Sequence, residues 1–166
     1  MATRPLALAM ALAIGRAAGS DAEPPARSVR ARTVVFVCAH GNVKSLIASR
    51  WLDRRAAERG MAVRAVARGL TPENPVPPAI VERLGRDGLD VAGYEALALV
   101  PSDVEGAARV VFIGTEAPAW IRGEQAVVDS WDGIPPASER YEESRDAMRA
   151  RIEALLDDVA SSSPEP

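Results

Sequence analysis

The sequence predicts an α/β domain with a doubly wound, parallel four-stranded sheet and helices on both of its faces. Two observations support this fold class. Short apolar runs rich in β-branched residues alternate with amphipathic segments of helical length between residues 33 and 159. Glycines and prolines separate these runs, as is typical of the turns between strands and helices. Strand–helix alternation of this kind favours a parallel sheet covered by helices.

The first predicted strand spans residues 33–37, a continuous run of Thr, Val and Phe that is typical of a strand buried in a parallel sheet. A loop follows it, and the next segment has apolar residues at the spacing of one helix face. These residues are Ile47, Ala48, Trp51, Leu52 and Ala56. Gly60 ends this helix, and residues 63–67 form the second predicted strand.

The second half of the domain continues the alternation. After a proline-rich loop, Pro78 is placed to begin a second helix. Residues 109–114 predict a third buried strand and residues 126–128 a fourth. Apolar positions between Met148 and Val159 predict a long last helix, with Ser138 as its N-terminal cap.

Composition limits the classes of function. The chain has 166 residues, which suits one domain, and a net charge of −3, which argues against nucleic-acid binding. It contains one cysteine and one histidine, so an internal disulfide cannot form and a zinc site of the usual ligands is not expected. We therefore expect no metal and no cofactor.

Both ends of the chain differ from the domain between them. Residues 1–19 have the order of a secretory signal, with Arg4, an apolar run and small residues, although Arg16 before the cleavage position weakens this interpretation. An alanine-rich extension is the alternative, so the protein is periplasmic or secreted in one case and cytoplasmic in the other. The apolar run is too short for a stable membrane anchor. Residues 20–32 are predicted to be a linker, residues 33–159 the domain and residues 160–166 a disordered tail.

The loop after the first strand carries the chemistry. It reads Cys38, Ala39, His40, Gly41, Asn42, Val43, Lys44, Ser45. In such sheets ligands bind where a strand ends and a helix begins, and a loop at that place can turn its peptide N–H groups toward a tetrahedral anion. A cysteine among the same N–H groups is expected to act as a reactive thiolate. Lys44 would add positive charge, and Ser45 a hydrogen bond to the sulfur.

This Cys-x5-basic-Ser loop, between strand and helix, resembles that of the low-molecular-weight protein tyrosine phosphatases and the arsenate reductases that share their fold. The resemblance continues through Arg68-Gly69, Gly88-Leu89-Asp90 and Ser130-Trp131-Asp132, and covers roughly residues 33–159. It implies that Cys38 is the nucleophile and that residues 39–45 bind the oxyanion.

Two departures from the family pattern affect the predicted site. Lys44 stands where the family has an arginine, so a planar, two-pronged grip on phosphate is replaced by a point charge. The family's general-acid aspartate lies immediately before a proline, but here a proline occupies the matching position. Asp132 is the best candidate for the acid, and Asp129 is less plausible. No aromatic residue follows Asp132 before Tyr141, so specificity for phosphotyrosine is in doubt.

Three functions are compatible with these residues. The first is a phosphatase-like hydrolase in which Cys38 attacks a phosphate monoester, Asp132 protonates the leaving group and Lys44 holds the phosphoryl oxygens. The second is an arsenate reductase, which with a single cysteine needs an external thiol or a thioredoxin- or glutaredoxin-like reductant. The third is a non-catalytic oxyanion-binding module. The hydrolase is ranked first.

Overall fold

The computed structural model describes residues 30–121, 123 and 126–162. The elements, in chain order, are β1 (Arg32–Cys38), α1 (Lys44–Glu58), β2 (Val63–Gly69), α2 (Pro78–Arg86), α3 (Pro101–Glu105), β3 (Ala107–Ile113), β4 (Val128–Trp131) and α4 (Tyr141–Ser161). Within this part of the chain no helix has the length and apolar character needed to cross a membrane. The predicted signal segment lies outside the described residues and stays a prediction.

The four strands form one parallel sheet in the order β2-β1-β3-β4, which confirms the predicted fold class. Because all strands run the same way, their carboxyl ends lie at one edge of the sheet. The register of β1 against β2 pairs Cys38 with Gly69, so the predicted nucleophile lies beside a residue that has no side chain. The same edge carries Ile113 at the end of β3 and Trp131 at the end of β4.

Helices cover both faces of the sheet, but unequally. On one face Val34 and Phe36 belong to a large core that also contains buried residues of α1, α2 and α4. On the other face Val35 and Val37 pack in a smaller cluster to which α3 contributes Val104. The five-residue α3 was not predicted, because a helix of little more than one turn shows no periodic pattern.

The first three strands differ from their predicted limits by one or two residues, and larger differences concern the fourth strand and the start of the last helix. The fourth strand was predicted at residues 126–128 but spans Val128–Trp131, because this edge strand pairs through the sequence Val-Asp-Ser-Trp rather than through an apolar run. The last helix is preceded by Arg140 at the N-cap, so Ser138 is not its cap as predicted. The N–H groups of Glu139 and Arg140 both donate to the carbonyl of Pro136, forming a turn that delays the helix.

The outermost elements lie near residues 33 and 159, the predicted limits of the domain, and the division of the chain into domain, linker and tail stays a prediction. β1 begins at Arg32, one residue before the predicted domain, and α4 ends at Ser161, within the predicted tail.

Candidate active site

A cavity of about 240 Å³ opens at the carboxyl edge of the sheet, above Cys38. The cysteine is buried, with 6% of its surface exposed. The described residues that line the cavity are Cys38, Ala39, His40, Asn42, Val43, Lys44, Ile113, Gly114, Pro136, Ala137 and Ser138. One wall is therefore the predicted loop. The other wall is formed by Ile113 and Gly114 at the end of β3 and by Pro136, Ala137 and Ser138, which belong to residues 132–140, here called the closing segment.

The outer side of the Cys38 loop is held by main-chain hydrogen bonds from the segment after β2. Three loop carbonyls accept N–H groups at 2.8–3.1 Å, pairing Cys38 with Leu70, Ala39 with Thr71, and His40 with Glu73. The next carbonyl, that of Gly41, accepts the Tyr94 hydroxyl at 2.5 Å. In a trans peptide the N–H of the following residue points away from the carbonyl. The N–H groups of residues 39–42 are consequently turned toward the cavity.

Two glycines allow the loop to lie against β2. Gly41 has a φ of +74°, a left-handed backbone conformation that glycine adopts without strain. A Cβ on Gly41 would lie 2.8 Å from the Gly69 nitrogen, and one on Gly69 would lie 2.7 Å from the His40 carbonyl carbon. Neither position leaves room for a side chain. The close approach is what lets the β2 segment reach the loop carbonyls.

The sulfur of Cys38 lies among donors. The Gly41 N–H donates to Sγ at 3.3 Å, and the Ser45 hydroxyl is 3.2 Å from the same atom. No side-chain cap hydrogen bond is made at the start of α1, among the described residues, so its first-turn N–H groups are not satisfied by a capping side chain. Free N–H groups and the helix dipole both favour a negative charge at this place.

Tyr94 fixes the peptide group between Gly41 and Asn42 through its hydrogen bond to the Gly41 carbonyl. Burial, and then the negative charge of the Cys38 thiolate, raise the pKa of Tyr94 to about 12. The hydroxyl therefore keeps its proton at neutral pH and remains a donor to the Gly41 carbonyl. The guanidinium of Arg50 lies 5.6 Å from the centre of the Tyr94 ring and adds a cation–π contact.

Lys44 joins the two walls of the cavity. Its Nζ donates to the carbonyl of Ile134 in the closing segment at 3.1 Å. A Cβ on Gly114, at the end of β3, would lie 3.1 Å from the same nitrogen, so this glycine leaves space for the ammonium group. The sequence reasoning missed Gly114, although its position at the end of a central strand is the kind that lines such sites.

Asp132, the predicted general acid, is not among the described residues that line the cavity. Its carboxylate oxygens accept the Ser130 hydroxyl at 3.3 Å, and its carbonyl accepts the Arg151 guanidinium at 2.6 Å. Asp129, the weaker candidate, faces Arg109 at 3.8 Å. The structure does not bring Asp132 together with Cys38, and its catalytic role stays a prediction.

His40 is the other titratable residue of the cavity besides Cys38 and Lys44, among the lining residues that the structure describes. Its Nδ1 lies 3.2 Å from the Glu73 carboxylate and 3.4 Å from the Thr71 carbonyl. About half of the side chain is exposed to solvent. The sequence analysis placed His40 among the oxyanion-binding residues and did not identify Glu73 as its partner.

The predicted oxyanion-binding residues are thus gathered around one cavity. Ala39, His40, Asn42, Val43 and Lys44 line it directly. Gly41 and Ser45 contribute through the N–H and hydroxyl that contact the Cys38 sulfur.

Comparison with known proteins shows likeness at the level of structure. No protein-family model and no curated protein sequence matches the chain. A thioredoxin-dependent arsenate reductase of Corynebacterium glutamicum superposes with a TM-score of 0.64 at 21% identity, over 82% of this chain and 65% of the reductase. The chain thus spans about two thirds of that protein.

Two phosphatases superpose as well. A low-molecular-weight protein tyrosine phosphatase from T. tengcongensis gives a TM-score of 0.61 at 19% identity, over 76% of this chain and 99% of its own. The YwlE arginine phosphatase of Bacillus subtilis, in a mutant with a phosphorylated active-site serine, gives 0.65 at 15% identity, over 78% and 97%. At these identities the likeness establishes the fold, which is that of the low-molecular-weight phosphatases and arsenate reductases.

Proposed function

We propose that the protein is a cysteine-dependent, phosphatase-like hydrolase of phosphate monoesters. The observation that carries this proposal is the placement of the Cys38 sulfur, 3.3 Å from the Gly41 N–H, inside a loop whose carbonyls are all tied outward between residues 38 and 41. A purely structural cysteine needs no such cradle. The fold shared with known phosphatases supports the same conclusion.

The geometry suits a two-step displacement. In the first step the Cys38 thiolate attacks phosphorus, so that an S–P bond forms while the bond to the leaving oxygen breaks. In the second step water attacks phosphorus, the S–P bond breaks and inorganic phosphate leaves. The inward N–H groups of residues 39–42 and the Lys44 ammonium would hold the non-bridging oxygens through both steps, and fixed donors of this kind are worth roughly 10²–10³ each in rate.

The cavity favours a small substrate. Its volume of about 240 Å³ lies below the roughly 300–1,000 Å³ typical of pockets for drug-sized ligands. No Phe, Tyr or Trp side chain occurs among the described residues that line it, so the walls offer no benzene or indole ring to stack on a phosphotyrosine side chain. A phosphate monoester of a small alcohol or phenol is the substrate class that fits best.

Arsenate reduction is the second candidate, and one observation favours it. No carboxylate occurs among the described residues that line the cavity, and reduction of arsenate has less need of a carboxylic acid than ester cleavage has. Cys38 is the single cysteine of the sequence. Two equivalents of an external thiol would therefore supply the two electrons and leave as a disulfide. Such a thiol could be a small molecule or a thioredoxin- or glutaredoxin-like protein.

A paired assay on the full chain separates these functions. One arm follows hydrolysis of an aryl phosphate and the other follows arsenate reduction with a small thiol or glutaredoxin, with Cys38→Ser as the control in both. We expect hydrolysis by the wild type, and background rates with phosphate binding partly retained in Cys38→Ser. Reduction alone would replace the hydrolase with the reductase. Phosphate binding without turnover in either arm would leave an oxyanion-binding module, and hydrolysis that survives in Cys38→Ser would refute the nucleophile.

A further inference from the structure

Hydrolysis of a phosphate monoester needs a proton for the leaving oxygen. In this cavity the available proton donor is a histidine rather than a carboxylic acid, among the lining residues that the structure describes. Carboxylic acids commonly serve this purpose, but none occurs among the described residues that line the cavity. Asp132 is engaged with Ser130 outside the lining. Lys44 donates to Ile134, and Cys38 is the nucleophile. His40 remains, a half-exposed ionisable group that lines the cavity.

The contacts of His40 define which ring nitrogen carries the fixed proton. Nδ1 faces the Glu73 carboxylate at 3.2 Å and the Thr71 carbonyl at 3.4 Å. Both partners offer acceptor oxygens, so we assign the fixed proton of the ring to Nδ1, which can then donate to them. The exchangeable site is then Nε2, on the other side of the ring. A carboxylate behind one nitrogen of an imidazole is a common way to orient the other for proton transfer.

The backbone also holds the pair together. His40 belongs to the Cys38 loop, two residues after the nucleophile, and its carbonyl accepts the Glu73 N–H at 3.0 Å. The same two residues are thus joined by a main-chain bond and by a side-chain contact.

We propose that His40 transfers the proton in the hydrolysis reaction and that Glu73 is its positioning residue. This inference rests on the proposed hydrolase function. It assigns the acid to the loop that holds the nucleophile rather than to the closing segment where the sequence pattern placed it.

The steps balance without any co-reactant except water. As the Cys38 sulfur bonds to phosphorus and the P–O bond breaks, the protonated Nε2 of His40 gives its proton to the leaving oxygen, and the alcohol departs. The neutral Nε2 then takes a proton from water, whose oxygen attacks phosphorus as the S–P bond breaks. Phosphate leaves, Cys38 is again a thiolate and His40 is again protonated.

A leaving-group series tests the proposal, because an acid matters most when the departing alcohol is a weak acid. We would measure kcat/KM of the full chain for phenyl phosphate and for a strongly activated dinitrophenyl phosphate. For His40→Asn we expect a loss of about 100-fold or more with phenyl phosphate and a much smaller loss with the activated ester. Glu73→Gln should show the same trend at smaller amplitude. Exposed Glu95→Gln is its matched control and should change neither value.

Each outcome has a distinct meaning. Equal losses on both esters in His40→Asn, with phosphate affinity retained, would overturn the role of His40 and leave the hydrolase intact. A leaving-group-dependent loss in Asp132→Asn instead would return the acid to the closing segment and also overturn it. If the wild type shows no Cys38-dependent hydrolysis of either ester, the proposed function fails and this inference fails with it.

Discussion

The two walls of the cavity are built by different means. The Cys38 loop is held from behind by three main-chain hydrogen bonds from the segment after β2, and by the hydroxyl of Tyr94. The closing segment, residues 132–140, is held to the helices by long cationic side chains. Its anchors are Lys44 of α1 on the Ile134 carbonyl, Arg83 of α2 on the Ala137 carbonyl and Arg151 of α4 on the Asp132 carbonyl.

This difference indicates which wall of the cavity a side-chain substitution can alter and which it cannot. Main-chain bonds do not depend on which side chains the loop carries, so the shape of the loop around Cys38 is largely fixed by the fold. A contact made by one long side chain is lost by a single substitution. We infer that the closing segment is the adjustable wall, where the leaving group is accommodated, and that the Cys38 loop is the constant one.

The largest effect is expected for Gly69→Ala, which would push the Cys38 loop away from the end of β2. The new Cβ would lie 2.7 Å from the His40 carbonyl carbon and 2.8 Å from the Gly41 nitrogen, and both neighbours are backbone atoms that cannot rotate away. We expect a loss of stability of about 1–3 kcal/mol. Phosphate binding should weaken more than tenfold, by titration calorimetry. Unchanged phosphate affinity would mean that the contact between loop and strand does not shape the cradle.

Gly85→Ala is the matched control for that change. Gly85 lies in α2, and a Cβ there would meet nothing within 4 Å. Alanine is favoured over glycine in a helix by roughly 1 kcal/mol, so the thermal midpoint should rise slightly while phosphate affinity stays the same.

An intermediate effect on phosphate affinity is expected for Lys44, which links the two walls of the cavity. Lys44→Arg should strengthen phosphate binding by roughly 3- to 10-fold, or about 1 kcal/mol, because a planar guanidinium can donate to two oxygens at once. Lys44→Met should weaken it, since the charge and the bond to Ile134 are both removed. Equal phosphate affinities for wild type and Lys44→Arg would count against a cradle of the family's shape.

The smallest effect should come from the adjustable wall. Arg83→Met removes a bond to the Ala137 carbonyl at 3.3 Å and a cation–π contact to Tyr141. We expect KM for an ester substrate to change severalfold, with about 0.5–1.5 kcal/mol lost in stability and the affinity for inorganic phosphate unchanged. Exposed Arg86→Met, on the same helix, should alter none of these. A fall in phosphate affinity in Arg83→Met would show that the two walls are not independent.

The same division explains how far the sequence could predict the site. The Cys38 loop follows a buried strand with a clear apolar pattern, and the rule that ligands bind at strand ends pointed to this loop, which the structure places beside a cavity. Gly69 was not recognised as part of it, because its contact with Gly41 depends on the register of β1 against β2. Such a register is set by packing between distant segments and leaves no local signal.

The closing segment and the strand before it have weaker sequence signals than the Cys38 loop. β4 is an edge strand with polar residues, so its limits were misplaced by an apolar-run criterion. Ser138 is of a residue type common at helix N-caps, but it lines the cavity and Arg140 is the N-cap of α4. Asp132 was chosen because it lies near the expected position in the sequence. The path of a loop over a few residues, and hence whether a given side chain reaches the cavity, cannot be predicted from residue type. His40 and Glu73 are 33 residues apart and meet only through the fold.

The main-chain construction of the Cys38 loop also bears on how such sites diverge during evolution. Where peptide groups do the binding, the side chains between them are free to drift, which is consistent with the low identity of 15–21% to solved structures of the same fold. A search for distant homologues by a Cys-x5-Arg pattern would pass over a chain with Lys44. A pattern built on steric constraint, with glycine three residues after the cysteine and a second glycine ending the neighbouring strand, would retain it.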